Sequence, residues 1–364
     1  MNLSDFIIKD DILTEYRGDE TNIIIPEGVK RIGPHVFQYN GLKSIQLPST
    51  LEHIDSFAFE YCGELTEITF PPGLLSIGDY AFENCRSLKN TQLPASLNSV
   101  GWYGFSYCLG LTEFSIPEGV THLHGGLFKG CKNLEKISIP ESVSAIDGDV
   151  FAGTAWLKAR KKESQFVIVN GLLIHGKPEN GVVNVPDTVN YVTDKAFFHQ
   201  SKIKKVIIPD GVTVSSHSVF KGCTNLTCIV YHGIPFTPHW GQVNPERVFR
   251  MIDERNFSAS IFLSDKYEAI LNMFFRNPED EELYQYIRKN ILKIIKVMTD
   301  QNQTEFVRKL LEDGRFITKR NIDKLIQYAI DNRKIEIQLM LMNYKAEKIG
   351  YDSDEEIIRK KFSL

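Results

Sequence analysis

Four cysteines, Cys62, Cys85, Cys108 and Cys131, stand 23 residues apart. Thiols at fixed spacing raise zinc ligation, disulfide exchange and nucleophilic catalysis as candidate chemistries. Zinc wants four donors around one point, whereas residues separated by whole periods are strung along an axis. Thiols one period apart fall within the Cα separation a disulfide allows, but side chains stacked in a column point the same way and their Cβ vectors do not converge. The spacing therefore reads as a ladder of buried thiols packing as small hydrophobes. Thr154 and Gln200 take the same position elsewhere. Cys228 falls at an outward position and is the better candidate for a reactive thiol.

His122 and His124 could project together from one strand-like segment, but neither Cys nor Glu stands at metal spacing from them, so they read as surface histidines. No G-x-S-x-G, H-E-x-x-H, Walker A or G-x-G-x-x-G sequence occurs in a strand–turn–helix context. Acidic pairs such as Asp10-Asp11 read as turn chemistry rather than as a glycosidase dyad. The expectation is a non-enzyme with no cofactor, no metal and no catalytic residue. Charge agrees with a neutral role: 42 basic against 46 acidic residues give a net −4, which demands neither nucleic acid nor an anionic membrane as partner. The start, MNLSDFIIKDDILTEYRGDE, has no basic segment followed by an apolar one, and no apolar run approaches the roughly 20 residues of a membrane helix. A cytoplasmic protein is expected.

The elements that position these residues follow from the period. Prolines repeat it at Pro48, Pro71, Pro94, Pro117 and Pro140, and phenylalanines at Phe59, Phe82, Phe105, Phe128 and Phe151. From its proline a unit reads P-x-x-[LV]-x-x-[IV]-x-x-x-x-F-x-x-C-x-x-L-x-x-I-x-[IFL], with Leu51, Ile54, Phe59, Cys62, Leu65, Ile68 and Phe70 as one set of apolar positions. Further units start at Pro26, Pro186 and Pro209, the last two in phase after a break. Such a unit cannot bury its apolar side alone, whereas stacked units share one core. The L-x-x-I-x-I stretch alternates inward and outward, which suits a short strand in a parallel sheet with about 4.8 Å between coils. Proline, lacking an amide hydrogen, fits the strand's end. The Ala58-Phe59 and Ala81-Phe82 pairs fill the opposite wall. Segments Phe6–Pro26 and Phe166–Pro186 align without gaps, each opening with two strands around Asp10-Asp11 or Asn170-Gly171, so each reads as a hairpin that starts a block.

This pattern, I-P-x-x-[VL]-x-x-I-x-x-x-A-F-x-x-C-x-x-L-x-x-I, resembles the BspA-like leucine-rich repeats over residues about 6–233. The resemblance implies an α/β solenoid, a curved leucine-rich-repeat stack with a short parallel β-sheet, used for protein recognition. It also implies a bacterial or protist source. Many members are surface proteins, so an exported adhesin is the alternative use.

Beyond Pro245 only Gly314 and Gly350 remain of 25 glycines, while five of six methionines lie there. Apolar spacing turns helical at Ile270, Leu271, Phe274 and Phe275, and again from Ile287 to Met298. Asn277-Pro278 marks a helix stop, and Gly314 another. The stretch from Thr304 to Tyr344 weakly resembles an ankyrin helix pair without its T-P-L-H signature. The expected division is a capping hairpin at 1–22, a repeat block at 23–157, an inserted hairpin at 158–185, a second block at 186–233, a linker at 234–245 and an all-α domain at 246–364.

The outward strand positions form two adjacent polar columns on what this architecture makes the concave face: Ser44 and Gln46, Glu67 and Thr69, Asn90 and Gln92, Glu113 and Ser115, Lys136 and Ser138. They contain no aromatic residue, which disfavours carbohydrate or single-stranded nucleic acid as ligand. Mixed polar columns suit a protein or peptide held by many modest contacts.

Overall fold

The period is one coil of chain with three walls, in a computed structural model that describes residues 3–89, 91–215, 218–238 and 245–350. The first wall is the expected sheet. Strands Asn22–Ile24, Ser44–Gln46 and Glu67–Thr69 pair in parallel, with Ile23, Ile45 and Ile68 in register. The ladder resumes with Glu113–Ser115 on Lys136–Ser138, and again with Val182–Asn184 on Lys205–Ile208. In these strands the central side chain points inward and its neighbours point out, as period-2 geometry requires. Each strand runs into its proline, whose carbonyl accepts from the residue three on: Leu51 N–H to Pro48 at 3.2 Å, Val120 N–H to Pro117 at 3.0 Å.

The turn opens a second parallel sheet that alternation did not predict. Two-residue strands Arg31–Ile32, His53–Ile54, Ser76–Ile77 and Ser99–Val100 pair in register, as do His122–Leu123 with Ala145–Ile146 and Tyr191–Val192 with Thr213–Val214. Two residues are too few to show a period, which is why only one sheet was expected.

The third wall carries the phenylalanines. Here the chain turns through left-handed residues on either side of each ring, for example Phe57 (φ 62°) and Tyr61 (φ 59°) around Phe59. This leaves alternate amides free to bond along the axis. Phe59 N–H donates to Ala81 O and Phe82 N–H to Gly104 O, both at 2.8 Å. Inside, Phe37, Phe59, Phe82 and Phe105 stack at 5.0–5.2 Å with interplanar angles of 5–13°. Those rings are fully buried.

Both anticipated hairpins form. Phe6–Lys9 pairs antiparallel with Ile12–Tyr16 and Phe166–Val169 with Leu172–Gly176; positive φ falls on Asp10, Asp11, Asn170 and Gly171. Each hairpin lends its second strand to the two-residue sheet, Leu13 pairing with Ile32 and Leu173 with Val192. The span 158–185 is not hairpin throughout, because helix α1 (Ala155–Glu163) occupies its start. Thr154 caps that helix, its Oγ1 accepting from Leu157 N–H at 3.1 Å.

By contacts the chain divides into two units, residues 1–225 and 226–364. The second opens with a hairpin, Cys228–Tyr231 against Ile234–Phe236, so the span read as linker begins as strand. Helices follow: α2 (Pro245–Glu254), α3 (Leu263–Arg276), α4 (Glu281–Asp300), α5 (Thr304–Asp313), α6 (Ile322–Asp331) and α7 (Ile335–Tyr344). Asn277-Pro278 separates α3 from α4, whose N-cap Asp280 accepts from Leu283 N–H at 3.1 Å. Gly314 ends α5 at φ 74°, the left-handed C-terminal stop its position predicted. The charged end of the chain, 352–364, lies outside the described residues.

Candidate functional site

Alternation along the three-residue strands places the expected columns on the outside of the first sheet. Ser44 and Glu67 are register partners, as are Gln46 and Thr69, Glu113 and Lys136, and Ser115 and Ser138. Ser44 and Gln46, with Glu67 and Thr69, line a depression of about 410 Å³. Gln92, Glu113, Ser115, Lys136 and Ser138 line a second, of about 300 Å³. Asn90 lies outside the described residues. At the edge of the second depression, which it helps to line, Thr91 replaces the usual inward apolar residue. It is buried, and its hydroxyl donates to Ile68 O at 3.0 Å. The strand face is thus two polar patches flanking an irregular coil, rather than one continuous ladder.

The thiol column does more than fill space. Each Sγ–H donates to the carbonyl of a phenylalanine one coil back: Cys62 to Phe37, Cys85 to Phe59, Cys108 to Phe82, Cys131 to Phe105 and Cys223 to Phe197, at 2.9–3.1 Å. Gln200, hardly a small residue, holds the place because its Nε2 donates to Gly176 O. The position selects a donor. Burial pushes the Cys62 and Cys131 thiols up to about 12, and Cys85 and Cys108 well above their usual value, so thiolate chemistry is suppressed. Cys228, which alternation turns outward, is half-buried.

His122 and His124 project together, as expected, from the two-residue sheet on either side of the fully buried Leu123. The partner that local spacing did not reveal is Asp147, on the next coil. Its Oδ1 lies 2.9 Å from His122 Nε2 and its Oδ2 3.6 Å from His124 Nδ1; the imidazole centroids are 4.1 Å apart. Gly125 N–H donates to Asp147 Oδ2 at 3.2 Å and fixes the carboxylate. Burial, then the neighbouring His122, hold the His124 imidazole below its ordinary pKa, against the pull of Asp147.

Aromatic rings also form a ladder that the strand columns lack. His35, Phe57, Tyr80 and Tyr103 stack at 4.8–5.0 Å, all at left-handed positions. Below Tyr103 the column continues as Gly126, at φ 73° and directly under the tyrosine ring, where a Cβ would collide. Within the ladder, ring faces are spent on one another, which argues for a packing role rather than a platform for sugars or bases.

A sequence profile of the BspA type leucine rich repeat region matches residues 15–74, 53–170 and 178–234, in six copies. No curated protein matches the chain. Among solved structures it is similar to a leucine rich cell surface protein from Faecalibacterium prausnitzii (25% identity, TM-score 0.44, covering 61% of this chain and 79% of that one). It is similar also to a leucine-rich repeat protein from Bacteroides ovatus (22%, TM-score 0.44, 63% and 69%). A third is the T. pallidum leucine rich repeat protein (26%, TM-score 0.38, 45% and 94%).

Proposed function

The chain belongs to the BspA-type leucine-rich-repeat family, and from that premise we propose that it is a non-catalytic scaffold holding a protein or peptide on the outer face of its three-residue strands. The observation that carries this reading is the registered pairing of polar side chains over successive coils, with Glu67, Glu113 and Lys136 on its two flanking patches. A rigid stack of strands fixes those groups before binding, so little ordering entropy is lost when a partner aligns with them. A net charge of −4 gives no electrostatic reason to invoke nucleic acid or an anionic membrane as the partner.

The setting proposed is the cytoplasm of a bacterial or protist cell. The exported-adhesin use would present the same face elsewhere; protease treatment of intact cells separates the two, because only an exposed protein is shed. The binding test compares the wild type with Glu67→Lys/Glu113→Lys/Lys136→Glu as baits. A partner retained by the first and lost by the second, at equal melting temperature, supports the strand face. Equal retention by both moves the site off that face and overturns the proposal.

A further inference from the structure

The trio His122, His124 and Asp147 is a group of metal-ligating side chains whose donor atoms all lie within 4.8 Å of one another. The repeat has a related contact without the histidines. Arg31 and Asp55 occupy the corresponding diagonal, one residue before the strand's inward position in one coil and one residue after it in the next, and close an ion pair at 2.7 Å. There a guanidinium supplies the positive charge. At the second diagonal two imidazoles stand where one arginine would suffice, and the second is not satisfied by the carboxylate alone. Nδ1 of His124 is buried without a hydrogen-bond partner among the described residues, Asp147 Oδ2 standing 3.6 Å away.

An ion accounts for that arrangement. Tetrahedral zinc with ligands at about 2.0–2.1 Å holds adjacent donor atoms about 3.3–3.4 Å apart. The two histidine–carboxylate separations, 2.9 Å to Oδ1 and 3.6 Å to Oδ2, bracket that value, and with all three donors inside 4.8 Å of one another, rotation of exposed or half-buried side chains brings them onto one ion. We propose that His122, His124 and Asp147 bind a divalent transition-metal ion of the zinc class, using Nε2, Nδ1 and a carboxylate oxygen. Imidazole and carboxylate donors select this class over calcium or magnesium, which take mainly oxygen. The Gly125 amide on Asp147 Oδ2 is the outer contact that orients such a ligand.

Three protein ligands leave a fourth position for water or a donor from outside. His122 and Asp147 also line a cavity of about 630 Å³ that continues past Asn170, Tyr191 and Asp194. The ion would therefore be reachable from that cavity, on the two-residue sheet and separate from the polar columns of the other sheet.

The test titrates the full chain with Co²⁺ and Zn²⁺, reading ligand-field absorption for cobalt and heat for zinc. One ion per chain is expected, with nitrogen–oxygen rather than thiolate bands. Asp147→Asn and His124→Gln should each weaken binding about 100-fold or more, whereas His53→Gln, at the position matching His122 three coils earlier, should leave it unchanged. Circular dichroism and the melting midpoint check that each variant is folded; His122→Asn replaces either that is not. Binding by the wild type no tighter than by a folded Asp147→Asn/His124→Gln chain would overturn the proposal. So would a cobalt spectrum dominated by thiolate charge transfer.

Discussion

Replacing Cys108 by serine and by alanine separates the two roles a column residue can have. The side chain is fully buried, and its Sγ–H donates to Phe82 O at 3.1 Å. That carbonyl also accepts from Cys85 N–H at 3.2 Å, so losing the thiol removes its second partner and not its only one. Cys108→Ala gives up roughly one methylene-sized apolar group, about 0.8 kcal/mol. A residual void of roughly 20 Å³ adds about 0.5 kcal/mol. The lost weak hydrogen bond adds about another 0.5 kcal/mol. A total near 2 kcal/mol is expected. Cys108→Ser loses similar volume but keeps a donor aimed at the same carbonyl, so it should be more stable than alanine by about 0.5–1 kcal/mol. If the column wanted only small apolar volume, the order would reverse, because an unpaired buried hydroxyl costs about 1–3 kcal/mol. The assay is urea unfolding followed by tryptophan emission, with Trp156, buried against Phe151 at 4.6 Å, as reporter in the same unit. A serine variant less stable than the alanine variant would refute the donor argument.

Other consequences are equally direct. Gly126→Ala, at φ 73° beneath the Tyr103 ring, should cost about 1–2 kcal/mol more than Gly211→Ala, at φ 82° with nothing within 4 Å of its Cβ; equal melting losses would show that the ring contact is immaterial. Deleting residues 1–22 removes the buried Phe6 and Leu13 and the strand paired with Ile32, so the melting midpoint and solubility should both fall. An unchanged melt would sink the capping role. His175 is held at about 4 by burial and then by Lys161 and Lys177, against 6.5 in the unfolded chain. Between those values the unfolded state binds the extra proton, so stability should decline as pH falls from about 6.5 to 4, and His175→Gln should flatten that decline. Identical slopes in the two proteins would remove His175 as the cause.

What could be read from the residues was whatever repeats at one-coil spacing within a single column. Ser44 over Glu67, and Phe59 over Phe82, need only the period and the sense of alternation, and both were placed correctly. The second sheet escaped because its strands are two residues long, as at His53–Ile54. Helix α1 escaped because most of it lies in the break between blocks, where no repeat fixes the phase. The thiol column was located but half explained. Volume alone accounts for cysteine, whereas Gln200 in the same column is intelligible only once the column's bonds to carbonyls one coil back are seen, Gly176 O in its case.

The histidine–aspartate trio shows where a solenoid defeats ordinary motif reading. A search near His122 and His124 for a third ligand looks a few residues away, as on a helix or in a zinc loop. In a stack of coils the physical neighbourhood of residue i is centred one coil on, at i+22 for Arg31 and i+23 for His122, and the diagonal contact adds two: Arg31 reaches Asp55 at i+24 and His122 reaches Asp147 at i+25. Sequence distance is long, but spatial distance is one inter-strand step of about 4.8 Å. Folding the sequence onto its own period before looking for ligands would have brought the three residues together. The same operation distinguishes the trio from its structural counterpart, because the column that holds His124 holds Gly78 and Gly101 on the preceding coils, so the imidazole is a departure from the repeat and not its product.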